Sequence, residues 1–396
     1  MTAVATKPTL ATLVAISALQ PIALNLLAPA TPALTRHFAS SYTTIQLTLT
    51  LFVVSVALTQ LVVGPLSDRF GRRPCVIAGI ALFVLGSVLG AVAPSTGVLL
   101  AARVLEGAGS GAVFALSRAI IRDTANRDEA ASQIASVTMV MVVAPMLSPW
   151  LGGQIDTAFG WRAIFLCMSA FGIVVLMLTV ARLPETAPNV GMRSSLLGIF
   201  RAFPTLVRNR EFLLNVSAAS SATSAFFVFL AATPYIVVET MGRGSDTYGS
   251  YFILNALGYM VGNFTMSRLA VRLGTPRMVR VGLVISFIGT GLGLALSLSP
   301  WWSPLTLFLP LAVNAMGAGL TIPGATAEAL SARPDLAGSA AGLLGATQLG
   351  ISAALTVLIS WLVTVWPQSM TLLIWLLVGC GLVAVSLKSR RRGPAA

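Results

Sequence analysis

Gly64-Pro-Leu-Ser-Asp68-Arg69-Phe-Gly71-Arg72-Arg73-Pro74 stands between two apolar runs, 44–66 and 75–94. A bilayer core roughly 30 Å thick is crossed by about 20 apolar residues in helical form, so each run is long enough to span it. The charged turn between them then lies at a membrane edge. Positive charge and a bend suffice for an ordinary turn at that place, which needs neither an acid nor two glycines at this spacing. Asp68 can accept hydrogen bonds from a helix N-terminus or from an arginine, and Gly64 permits close helix approach. The turn reads as a latch made of Gly64, Asp68, Arg69, Gly71, Arg72 and Arg73, with Asp123 or the segment near Gly338 as partners.

The same alternation continues in both directions. Apolar segments are expected at 10–33, 44–66, 75–94, 97–120, 132–154, 161–183, 211–234, 247–269, 278–298, 301–325, 336–361 and 368–387. Only 9% of the 396 residues are charged and 56% are hydrophobic, against about a quarter charged in a soluble domain. Backbone groups in lipid must be satisfied within helices, so an all-α membrane protein of twelve spans is expected. The longest polar interruption divides it into an N-terminal six-helix bundle, 1–183, a loop, 184–210, and a C-terminal bundle with a short basic tail, 211–396.

The net charge of +13 belongs to the turns and does not form a nucleic-acid-binding face. With the N-terminus inside, the outer turns hold only Arg36, Arg162 and Arg243 of the 25 basic residues. Arg103 and Arg118 remain within the fourth segment, and all the others fall inside. Both termini are thus expected in the cytoplasm. Trp161, Trp301, Trp302, Trp361 and Trp366 fall at outer ends, as an interfacial belt would. No P-loop, HExxH or paired catalytic carboxylates occur, so neither an ATPase motor nor an enzyme is expected. Cys75, Cys167 and Cys380 read as packing residues, and the lone His37 cannot build a metal site, so neither metal nor cofactor is expected.

Residues 66–79 lie over 269–282 at an offset of 203, with five identities in fourteen and the same place in each half. The fifth segment carries Ala144-Pro145-Met-Leu-Ser148-Pro149-Trp-Leu-Gly152-Gly153, in which Pro145, Ser148, Pro149, Gly152 and Gly153 allow a kinked helix to pack tightly. An ordinary kinked helix would look the same. The turn Gly64–Pro74 resembles the signature of the major facilitator superfamily, and the proline motif resembles that of its drug-exporting antiporters, with Ser148 where a glycine is expected. Together with Arg118-Ala-Ile-Ile-Arg-Asp123, Gln20-Pro-Ile-Ala-Leu-Asn25-Leu-Leu-Ala-Pro29-Ala-Thr-Pro32 and Asp335-Leu-Ala-Gly338-Ser-Ala-Ala-Gly342, the chain is similar nearly end to end to the Bcr/CflA drug-resistance subfamily.

That resemblance implies a major facilitator fold with a central cavity, in a bacterial inner membrane. It also implies proton-coupled export of small drug-like molecules such as phenicols, bicyclomycin or sulfonamides, by a monomer whose partners are drug, protons and lipid. A uniporter or metabolite exporter of the same fold remains open. Relatives commonly carry an Asp where this chain has Asn25, and Gln where it has Glu106. Glu106 is the single acid left at membrane depth, and Arg103, three residues away, shares its helix face. The two are either the proton-coupling pair or a structural pair. For substrate contact, Tyr251, Asn255, Tyr259 and Asn263 form a stripe at intervals of four. Phe226, Phe227 and Phe229 add aromatic surface, while Gln20, Asn25, Gln46, Asn314 and Gln348 add neutral hydrogen-bonding groups. The stripe could equally bond between helices, and the phenylalanines could face lipid.

Overall fold

The computed structural model describes residues 8–124, 144, 147–187, 203–333 and 336–389. Its regular elements are helical, and no strand occurs among the described residues. In chain order they are α1 (Leu10–Leu26), α2 (Thr31–His37), α3 (Tyr42–Phe70), α4 (Arg72–Ala91), α5 (Thr96–Thr124), α6 (147–159) and α7 (Trp161–Arg182). Then come α8 (203–208), α9 (Arg210–Tyr235), α10 (Ser245–Leu273), α11 (Thr275–Ser297), α12 (Pro304–Ser331), α13 (Ala337–Val365) and α14 (Ser369–Ser389). Among the described residues, 10 spans are long and apolar enough to cross a membrane, with α1 and α2 counted as one. The polar stripe lies on α10, which is 29 residues long and packs along α12. The expected span 132–154 begins outside the described residues, and α6 is its continuation.

The first expected span, 10–33, is not a single helix. α1 stops at Leu26, one 3-10 turn follows at Ala28–Ala30, and α2 restarts at Thr31. Pro29 and Pro32 have no N–H to donate and clash with a continuous helix, whereas proline at the start of a new piece is tolerated. Trp161 also departs from expectation, being buried against Phe165 rather than exposed as a belt residue.

The chain forms two compact units, Met1–Leu196 and Leu197–Ala396. In the first, α1, α3 and α4 pack on α5, and α7 packs on α4. In the second, α12 packs on α9, α10 and α11, and α9 packs on α13 and α14. Small residues make these contacts close. A Cβ added to Gly79 of α4 would meet the Gly109 carbonyl of α5, and one added to Gly282 of α11 would meet the Gly317 carbonyl of α12. Gly86 and Gly289 form a second such pair, again 203 residues apart, against Ala102 and Pro310 carbonyls. Large apolar side chains such as Leu85, Met177, Ile288 and Val383 are exposed on the outside. Lipid is as apolar as leucine, so close approach rather than the hydrophobic effect holds membrane helices together.

Candidate functional site

Arg103 and Glu106 lie one turn apart on α5, joined by an ion pair of 2.5 Å, with side chains 1% and 0% exposed. Ser87 of α4 donates its hydroxyl to Glu106 Oε1 at 2.7 Å. Arg103 donates from Nε to the Thr48 carbonyl of α3 at 3.3 Å and from Nη2 to the Ala23 carbonyl of α1 at 3.2 Å. Its guanidinium also lies 4.3 Å from the centre of the Phe52 ring. The pair therefore ties three helices to α5. Gly86 and Gly107 leave room for it, since a Cβ at either would strike the backbone of a neighbouring helix. Asn25, two residues beyond Ala23, is fully buried and donates from Nδ2 to the Pro21 carbonyl at 2.8 Å. Its Oδ1 has no hydrogen-bond partner among the described residues.

At the turn between α3 and α4 the hub is Arg72 rather than Arg69. The Arg72 side chain, 6% exposed, pairs with Asp68 at 2.7 Å and Asp123 at 2.9 Å and donates to Ser67 Oγ. Arg69 instead lies over the Phe70 ring at 5.2 Å. Glu185, in the segment after α7, holds the helix start that the sequence offers to Asp68. It accepts the N–H of Arg72 at 2.8 Å and of Arg73 at 3.2 Å, and those of Thr186 and Ala187 at 2.9 Å each. A carboxylate here satisfies donors with no partner in their own helix and meets the positive end of the α4 dipole. Partial burial opposes the charge on Glu185, but the four N–H groups outweigh it and keep the carboxyl below its ordinary range. Arg73 adds a bond from Nη2 to the Val180 carbonyl at 2.9 Å. The close approach expected at Gly64 has no described partner, since nothing described lies within 4 Å of a Cβ there. The tight glycine is Gly71, with φ of 100°, where a Cβ would run into the Glu185 carboxylate.

On α6, Ser148 and Pro149 are buried, and a Cβ on Gly152 would collide with the Leu26 carbonyl at the end of α1. The Gly153 carbonyl accepts from Thr157 at 2.9 Å, while Pro145 lies outside the described residues, as does Asp335. An apolar cavity of about 360 Å³ runs between α1, α6 and α7, lined by Ile22, Leu26, Leu151 and Phe171 among others.

In the second unit Phe229 packs on Phe252 at 5.5 Å and on Phe308 at 5.9 Å, and Tyr251 packs on Phe308 at 5.6 Å. Phe226 stands at the margin, 6.5 Å from Phe229. Phe229 therefore packs within the bundle and not on lipid. Asn255 and Asn314 are buried, Asn263 donates to the Tyr259 carbonyl at 3.1 Å, and Gln348 donates to Thr223 at 3.3 Å. In the first unit Gln46 donates to the Tyr42 hydroxyl at 2.8 Å, and Gln20 is half-buried.

The sequence model of the Major Facilitator Superfamily matches residues 13–355. The chain belongs to the major facilitator superfamily. Its relatives include a bicyclomycin resistance protein homolog of Haemophilus influenzae, 29% identical over 359 residues that make up 88% of each chain. The multidrug resistance protein MdtL of Escherichia coli is 28% identical over 369 residues, 93% of this chain and 92% of that one. An uncharacterized MFS-type transporter of Bacillus subtilis, YdgK, is 27% identical over 86% of this chain and 85% of its own. These names match the Bcr/CflA subfamily that the motifs resemble. Among solved structures, a mutant of the peptide transporter POT in complex with alafosfalin superposes with a TM-score of 0.74 at 16% identity, over 96% of this chain and 93% of that one. That likeness concerns the fold, which is the major facilitator fold.

Within this member of the superfamily, Ser87 and Glu185 are the site residues that sequence reasoning missed. Glu185 had one usable signal, since it is the first acid after α7 and follows a proline that ends the apolar run. Ser87 had none, because a serine on a membrane helix commonly bonds its own backbone.

Proposed function

We propose that this transporter exports small, neutral, drug-like molecules across a bacterial inner membrane in exchange for protons, as a monomer with both termini in the cytoplasm. The observation that carries the reading is kinship along most of the chain with proteins named for resistance to bicyclomycin and to multiple drugs. The preference for neutral molecules rests on the second unit, whose sequence has no Asp, Glu, Lys or Arg within 212–238, 247–267, 281–327 or 336–387. A cation would meet no counter-charge there. Orientation rests on the excess of arginine in the turns assigned to the inside.

Glu106 is the proposed proton carrier and Arg103 the partner that sets its charge. Each Glu106 oxygen accepts one charge-assisted contact, and a proton on the carboxylate would weaken the hold of Arg103 and Ser87 on it. The bond from Arg103 to the Ala23 carbonyl would carry that change to α1, beside Asn25. The Arg72 cluster is the proposed inner latch, released and remade in each cycle. Drug-induced proton release from purified protein, with pH-gradient-driven transport in liposomes, tests the assignment. Both signals should vanish in Glu106→Gln while drug binding survives. A surviving proton signal would leave the pair purely structural and direct the search to Asp123, Asp156 or Glu239. A carrier without strict proton coupling is the second reading, favoured by the complete enclosure of Glu106 and by Asn25 in place of an acid. A protonophore that leaves drug accumulation in cells unchanged would select it.

A further inference from the structure

An apolar groove of about 680 Å³ opens on the outer surface of the second unit between α9, α11 and α14. Leu213 and Leu214 of α9 form one wall, and Trp375, Gly379, Cys380 and Leu387 of α14 form the other. Trp375 closes one end by stacking on Phe287 of α11 at 5.0 Å. From Trp375 to Leu387 a helix rises about 18 Å, close to half of a hydrocarbon core of roughly 30 Å. The groove therefore has the length of one leaflet.

Its other end is basic. Arg210 opens α9 and sits three and four residues before Leu213 and Leu214, on the helix face that lines the groove. Arg208, two residues before α9, is exposed, and the sequence after Leu387 reads Lys388-Ser-Arg390-Arg391-Arg392. Apolar length on the membrane face, ending in clustered arginine at the membrane edge, has the chemistry of an acyl chain joined to a negative headgroup. We infer that this groove is a binding site for an anionic phospholipid, with one acyl chain along α14 and the phosphate against Arg208 and Arg210.

The native Cys380 is exposed in the groove and gives a direct readout. In a variant with Cys75→Ser and Cys167→Ser, Cys380 is labelled with bimane and the protein is placed in phosphatidylcholine vesicles. These contain a minor fraction of phosphatidylglycerol or phosphatidylcholine with brominated acyl chains. The brominated phosphatidylglycerol should quench the label several-fold more effectively than the brominated phosphatidylcholine. Arg208→Gln or Arg210→Gln alone should weaken that preference, and the two together should bring quenching by the two lipids close to equal. Equal quenching by the two lipids would overturn the proposal and leave ordinary boundary lipid, as would a preference that survives loss of both arginines.

Discussion

Two turns of this transporter share a backbone and differ in charge. Gly71 ends α3 and begins α4 with φ of 100°, and Gly274, 203 residues on, ends α10 and begins α11 with φ of 84°. The helices that follow each turn also pack alike, through Gly79 on α5 and Gly282 on α12. Around the first turn, Arg72 binds Asp68 and Asp123 while Glu185 receives the start of α4. The corresponding positions in the second are Val271 for Asp68, Thr275 for Arg72 and Lys388 for Glu185, and Pro276 replaces one N–H donor outright. A reversal between two spans thus needs the glycine and not the ion cluster. The charges of the first turn are not needed for the reversal itself, which is compatible with the latch proposed for them.

Arg72→Leu should break this comparison most severely, because it removes one ion-pair partner from Asp68 and from the buried Asp123 at once. A buried charge that loses its partner costs about 3–5 kcal/mol, discounted here because Asp68 is partly exposed and Asp123 keeps a further contact. A large fall in the unfolding temperature of the purified protein and near loss of transport are expected, with Thr275→Ala at the matching position close to neutral on both. Asp68→Asn should fold normally but exchange sides more slowly, since it gives up a charge-assisted contact worth about 1.5–3 kcal/mol. Transport at equal membrane expression should drop by about tenfold, and an unimpaired rate would remove Asp68 from the latch.

Gly71→Ala and Gly274→Ala separate backbone from charge. Each places a side chain where an L-residue is strained, at about 1–3 kcal/mol. Only the first also disturbs Glu185, so thermal unfolding should show Gly71→Ala to be the more damaging. Glu185→Gln is the mildest change, comparable to loss of a helix cap at about 0.5–1 kcal/mol. The Glu185 carboxyl is held below its ordinary value in the folded protein, so its contribution is complete above the unfolded value of about 4.3 and fades as pH falls through the lowered one. The difference in unfolding temperature between wild type and Glu185→Gln should therefore persist from neutral pH to about pH 5 and shrink below about pH 4. A difference unaffected by acid would mean that the charge of Glu185 contributes nothing.

Local chemistry is what the sequence carries by itself. Runs of apolar residues demand helices in lipid, arginine between them marks the turns, and the acid and glycines of the Gly64–Pro74 stretch single out one turn from the rest. Pro29 and Pro32 stand in the sequence, yet the break they cause was missed, because a hydropathy pattern runs straight through them. Tertiary structure decided which charged groups meet. Arg69 and Arg72 are indistinguishable by composition, and only the phase of the helices turns Arg72 toward Asp123, 51 residues away. Glu185 reaches α4 across 113 residues. Arg103 and Glu106 announce each other from one helix face, but that the pair is sealed by Ser87, Thr48, Phe52 and Ala23 depends on four helices packing to within hydrogen-bond distance. Such contacts depend on helix rotation and on glycines that admit a neighbour, and neither leaves a periodic trace along the chain.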